Sequence, residues 1–92
     1  MVEPDNQEEE DLVVTRCRLR VTAESDPSVL PQILGELHNQ NVTPRRVLAE
    51  FGIRGQLHIE IEVIGLRAER LSLIAKKMAR GLYILDTHWH PM

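Results

Sequence analysis

Hydrophobic and polar residues alternate from Leu12 to Val21. Val13, Thr15, Cys17, Leu19 and Val21 fall on one side, and Val14, Arg16, Arg18 and Arg20 on the other. A period of two is the mark of a strand with one buried face. The period then lengthens: Leu30, Ile33, Leu34 and Leu37 recur at spacings of three and four, which predicts an amphipathic helix. It closes near "HNQN" (38–41), where Asn39 and Asn41 suit cap or left-handed conformations and His38 meets the negative end of the helix dipole. A second strand is expected from about Arg45 to Phe51, and "GIRG" (52–55) joins it as a hairpin to a third, "QLHIEIEVI" (56–64). In the third, Leu57, Ile59, Ile61 and Val63 point inward and His58, Glu60 and Glu62 outward. "LRAERLSLIAKKMAR" (66–80) sets Leu71, Ile74, Ala75 and Met78 on one stripe of a second helix, with Lys76, Lys77 and Arg80 in the last turn and Gly81 as the stop. The closing "LYILDTHW" (82–89) shows no clean period, which leaves its faces unassigned and allows a bulge.

The element order is therefore βαββαβ. Right-handed crossovers applied to it give an α+β, ferredoxin-like sandwich: an antiparallel sheet in the order 4-1-3-2 with both helices on one face. The first and third strands are central neighbours, so Arg16, Arg18 and Arg20 face His58, Glu60 and Glu62 across the bare side of the sheet. Such cross-strand pairs stabilise by roughly 0.2 to 1 kcal/mol each, reason enough for them to exist without a ligand.

Composition adds limits. The 92 residues support one modest core, and the net charge of −3 is unevenly spread, because residues 1–11 hold Glu3, Asp5, Glu8, Glu9, Glu10 and Asp11 and no base. That stretch reads as a disordered, solubilising tail ahead of a single domain over 12–92. The remainder, with 11 bases against eight acids, carries too little and too interspersed a positive charge for a nucleic-acid footprint. A lone cysteine, Cys17, cannot form an internal disulfide, no signal region is evident, and the longest apolar runs fall far short of a membrane span; a soluble, cytoplasmic protein is expected.

Candidate chemistry is sparse. RNA binding on an open sheet needs aromatic side chains on the central strands, and here those positions hold arginine and glutamate. Cys17 has no paired cysteine and falls on an inward position, as a small hydrophobe does. His88 and His90 flank Trp89 at a spacing that puts both imidazoles on one strand face, half of a metal site, with His58 the remaining outward histidine, but no acid or cysteine stands at a companion spacing. The chain has no nucleophile beside a base motif, no glycine-rich phosphate loop and no matched acid pair, so catalysis, metal and cofactor are not expected.

"ESDPSVLPQIL" (24–34) lies where strand pattern becomes helix pattern. Pro31 lacks an N–H and fits best within the first turn; a cap at Ser28 makes it the third helical position, whereas a cap at Asp26 leaves it beyond the free donors. Ser28 is the expected cap. The loop ahead of it faces helix N–H groups that suit a carboxylate. The plain reading is a helix start and nothing more.

The βαββαβ order, the loop "ESDPSVL" before "PQILGELHNQNV", and "PRRVLAEFGIRGQLHIEIEVIGLRAERLSLIAKKMARGLYILDTHW" together resemble an ACT domain over about residues 12–90. More narrowly, they resemble the short regulatory subunits of acetolactate (acetohydroxyacid) synthase. The resemblance implies a non-enzymatic module that pairs side by side through the second strand into an eight-stranded sheet, serves the thiamine-diphosphate-dependent large subunit in branched-chain amino-acid synthesis, and takes a branched-chain amino-acid effector between two chains. A free-standing sensor of another amino acid, with a different partner, is the alternative. The family's Asn-Glu-Pro-Gly loop falls on Ser25, Asp26, Pro27 and Ser28; two of the four positions depart, and the lost glycine keeps a ligand off the backbone. The implied site, weak or vestigial, comprises Glu24, Ser25, Asp26, Pro27, Ser28 and Val29 of one chain with Val42, Thr43, Pro44, Arg45 and Arg46 of the other. The homodimer through the second-strand edge has independent support: Arg45 to Phe51 lacks proline and carries Val47, Leu48 and Phe51.

Overall fold

The computed structural model describes residues 13–92; the expected acidic tail lies outside the described residues. Six elements follow in the order β1 (Val13–Ala23), α1 (Val29–Asn39), β2 (Arg46–Phe51), β3 (Leu57–Arg67), α2 (Ala68–Ala79) and β4 (Ile84–Pro91). They form one antiparallel sheet ordered β2-β3-β1-β4, the expected 4-1-3-2 read from its other edge. The ferredoxin-like sandwich is thus the observed fold.

Inward residues of the two central strands meet both helices in one core. Cys17, Leu19, Val21 and Ala23 from β1 and Ile59, Ile61 and Val63 from β3 pack on Val29, Ile33 and Leu37 from α1 and Leu71, Ile74, Ala75 and Met78 from α2. The α2 stripe is the one that its period predicts. The α1 stripe is rotated: Val29, Ile33 and Leu37 are buried, Leu30 is half-buried and Leu34 is 38% exposed. A helix has one face against the sheet, and α1 turns Leu30 to the flank beside Phe51 of β2 and leaves Leu34 exposed. Thr15, expected inward, is exposed because β1 there runs past the end of β4, which begins pairing only at Cys17.

β2 is almost wholly exposed. Val47, Ala49 and Phe51 lie opposite Ile61, Ile59 and Leu57 and share their face, yet neither helix covers them. Phe51 is 74% exposed. Two helices side by side span roughly 20 Å, about the width of four strands at 4.8 Å, and any offset toward β4 leaves one edge bare.

The expected turn at 52–55 closes with Gly52 N–H donating to the Gln56 carbonyl at 2.7 Å, and Gly55 supplies the left-handed residue at φ 81°. Asn41 adopts φ 60° after α1, as anticipated. Gly81 acts differently from expectation: the left-handed residue after α2 is Tyr83, at φ 73°. Gly81 is needed for space instead. A Cβ there would run into Gln32 Oε1, which accepts from the Leu82 N–H at 2.9 Å. The bulge allowed in β4 is present, its register shifting between Thr22 and Ala23.

Candidate functional site

The β1–α1 loop starts from a chain held straight by β1 and ends at α1, whose N-cap residue is Ser28, as expected. Ser28 N–H donates to Asp26 Oδ1 at 2.9 Å, the Ser28 hydroxyl donates to the same oxygen at 2.7 Å, and Val29 N–H donates to the Asp26 carbonyl at 3.0 Å. The helix begins at Val29 as the Ser28 expectation requires, but the Ser28 side chain makes no capping bond to it. An aspartate two residues ahead engages the Ser28 hydroxyl and N–H instead, in an Asx turn. The hydroxyl of Ser28 and then its N–H hold the Asp26 carboxyl below the usual carboxylate value, so it is charged at neutral pH.

Beside this loop is a hollow of about 390 Å³ lined by Ser25, Asp26, Pro27, Leu30, Phe51 and Leu57. Its floor is apolar and its rim carries one carboxylate, a pattern suited to a small ligand with an apolar side chain and a positive group. Leu30, Phe51 and Leu57 were missed as site residues, since Leu30 and Leu57 read from sequence as core and Phe51 as part of the pairing edge. The excess of aliphatic residues on α1 beyond one stripe was the available signal.

The structure places the expected residues in two groups. Glu24, Ser25, Pro27 and Ser28 are exposed and Asp26 half-buried, all at the loop, whereas the Val29 side chain is 0% exposed and belongs to the core. Val42, Thr43, Pro44, Arg45 and Arg46 lie at or before the start of β2, five to nine positions from Phe51, which lines the hollow of the same chain at the strand's other end. Within one chain strand direction keeps the two groups apart. If two β2 edges pair antiparallel about a two-fold axis, the start of one β2 abuts the end of the other.

The open face of the sheet is an ion-pair lattice. Arg16 and Arg45 reach Glu62 at 3.5 and 3.6 Å, and Arg18 and Arg20 reach Glu60 at 3.5 and 3.4 Å. These charges satisfy one another, and their exposure limits each pair to about 1 kcal/mol or less. Thr87 and Trp89 face α2, with Trp89 Nε1–H donating to Ser72 Oγ at 3.1 Å, while Asp86, His88 and His90 share the open face. The two imidazoles stack at 6.2 Å, and His88 Nδ1 lies 3.1 Å from Asp86 Oδ2. Among the described residues no three His, Cys, Asp or Glu side chains are placed to hold a metal ion. Cys17 is 1% exposed, and burial pushes its thiol up to about 11, which leaves it protonated and unreactive. No helix among the described residues is long and apolar enough to cross a membrane.

The family follows from this frame. Residues 9–92 match the model of the ACT-like domain, and the chain belongs to that family. It is a family of regulatory domains that commonly dimerise and bind amino acids. No curated protein sequence matches the chain. Among solved structures, the ACT domain from GTP pyrophosphokinase of Chlorobium tepidum superposes with a TM-score of 0.71 at 12% identity, over 83% of this chain and 97% of that one. The C-terminal domain of the MgtC protein from Mycobacterium tuberculosis gives 0.71 at 13% identity, over 90% and 93%. A homoserine dehydrogenase from Thiobacillus denitrificans gives 0.74 at 15% identity, over 90% of this chain and 18% of the enzyme. At these identities the likeness is one of fold.

Proposed function

We propose that this protein is a non-catalytic regulatory subunit that pairs through β2 and takes an amino-acid effector weakly at the seam. The observation carrying this reading is the apolar hollow at Asp26, Pro27 and Phe51 beside an edge strand with bare apolar residues. In the proposed dimer, the effector's ammonium pairs with Asp26 or Glu24, its side chain enters between Leu30, Phe51 and Leu57, and its carboxylate meets Arg45 or Arg46 of the second copy. The Ser28 hydroxyl already occupies one Asp26 oxygen, which weakens the ammonium contact. The narrower assignment, to the large subunit of acetolactate synthase as partner and a branched-chain amino acid as effector, rests on the sequence resemblance.

Two measurements test the reading separately. Calorimetric titration of the full chain with valine, leucine and isoleucine is expected to show weak binding that tightens in Ser28→Gly, where the hydroxyl is gone and the backbone is open to approach. Co-purification with an acetolactate synthase large subunit tests the partner. Binding of another amino acid with no such co-purification favours the free-standing sensor; absence of binding in both forms, with the large subunit retained and activated, leaves assembly as the function.

A further inference from the structure

We propose that the open face of the sheet is a contact for a second copy of this chain, laid face to face with its strands antiparallel to the first. The strand register sorts the outward side chains into rows that cross all four strands. Where β1 stops, the row is Glu50, His58, Thr22 and Asp86; the next is Leu48, Glu60, Arg20 and His88, and the third is Arg46, Glu62, Arg18 and His90. Arg16 follows on β1, and Arg45, just ahead of β2, turns its guanidinium to Glu62. With imidazoles counted as neutral, the first row carries two negative charges, on Glu50 and Asp86. The middle row balances Glu60 against Arg20. The far end sets Arg16, Arg18, Arg45 and Arg46 against Glu62 alone, an excess of three positive charges. Glu24 and Arg54, in the loops beyond the first row, offset each other.

The ion pairs within the face leave this gradient in place. Each glutamate is shared by two arginines, Glu62 by Arg16 and Arg45 and Glu60 by Arg18 and Arg20. A guanidinium carries five N–H donors, and these four side chains keep 27% to 56% exposure, so donors outside the pairs still face solvent. Arg46 is exposed and enters no ion pair among the described residues. Asp86 faces His88 at 3.1 Å, a partner that carries no charge in this count. A surface negative at one end and positive at the other is complementary to itself. About a two-fold axis in the sheet plane and across the strands, Glu50 and Asp86 of one copy lie over the arginine end of the other, and the balanced middle row lies over itself. Laid parallel, like ends would meet and repel. Four strands at about 4.8 Å and three rows at about 6.8 Å cover roughly 400 Å² per copy, below the size of a stable interface. The contact is therefore weak, populated near millimolar concentration. The seam proposed above uses the β2 edge and this contact a face, so the two stand or fall independently.

NMR spectra of the full chain at about 20 mM salt, diluted from about 1 mM to about 50 μM protein, test the contact. The Nε–H signals of Arg18 and Arg20 and the amides of Thr22 and His88, on strands that the β2 seam does not touch, should shift with concentration. The shifts should fall severalfold at about 0.5 M salt. Arg16→Glu/Arg46→Glu makes both ends of the face negative, and Glu50→Lys/Asp86→Lys makes both positive. Each variant alone should lose the concentration dependence, and an equimolar mixture of the two should regain it. Absence of concentration dependence in the wild-type protein, or a mixture that stays silent, overturns the proposal. Shifts that follow salt but not concentration overturn it too, since the arginine end would then be met from within one chain.

Discussion

At Ser28 one hydroxyl settles between two tasks. It stands at the residue before α1, where serine ordinarily accepts from a helix N–H, yet it donates to Asp26, and that bond is the largest cause of the low Asp26 pKa. Ser28→Ala should therefore raise the Asp26 pKa toward its ordinary value, read by carbon-detected NMR titration; an unmoved pKa would assign the depression to another group. The sign of the pH effect follows. A carboxylate whose folded pKa is depressed contributes stability that is present above the unfolded value, about 3.9, and is lost as pH falls through the folded one. The stability gap between the wild-type protein and Ser28→Ala should accordingly narrow below about pH 4. Pro31 pointed to the cap position that α1 uses, but the bond of the Ser28 hydroxyl was not legible: with Asp26 two residues ahead, the carboxylate takes the hydroxyl that would otherwise accept from a helix N–H.

Among the elements, the α2–β4 connection is held by a residue with no evident role in its own pattern. The Gln32 side chain accepts from Leu82 N–H and donates to the Leu82 carbonyl at 3.3 Å, and Glu24 N–H donates to the Tyr83 carbonyl at 2.9 Å. The start of α1, the end of β1 and the approach to β4 are thereby tied at one corner. Gly81→Ala should expel the Gln32 amide and destabilise by about 1 kcal/mol, as should Gln32→Ala. The two losses should not add in a double-mutant cycle of urea denaturation, because each removes the same pair of bonds. Full additivity would mean that Gly81 is needed for another reason. The periods of β1, β3 and α2 could be read directly from the chain. Gln32, by contrast, was silent, since a polar residue on an amphipathic helix ordinarily points to water and its partner lies fifty positions away.

For the whole molecule, the governing asymmetry is between the two sheet edges. β4 ends in Pro91 and carries a bulge, both of which discourage pairing, whereas β2 has neither and exposes Val47 and Phe51 on the face that the helices leave bare. Val47→Glu/Phe51→Glu should halve the mass seen by light scattering at micromolar concentration and leave the thermal midpoint of the monomer nearly unchanged, since neither side chain is in the core. An unchanged mass would move the seam elsewhere and separate residues 42–46 from the hollow. The sequence by itself determined the element order, the sheet order and the two buried strand faces. Alternation at period two and stripes at period 3.6 are written residue by residue, and right-handed crossovers leave one way to join them. Only the tertiary structure decided that α1 turns Leu30 toward Phe51, that Asp26 takes the Ser28 hydroxyl, and that the two halves of the expected site stand at opposite ends of β2. Those outcomes depend on which surfaces two helices can cover over four strands, a competition for area that no local pattern records.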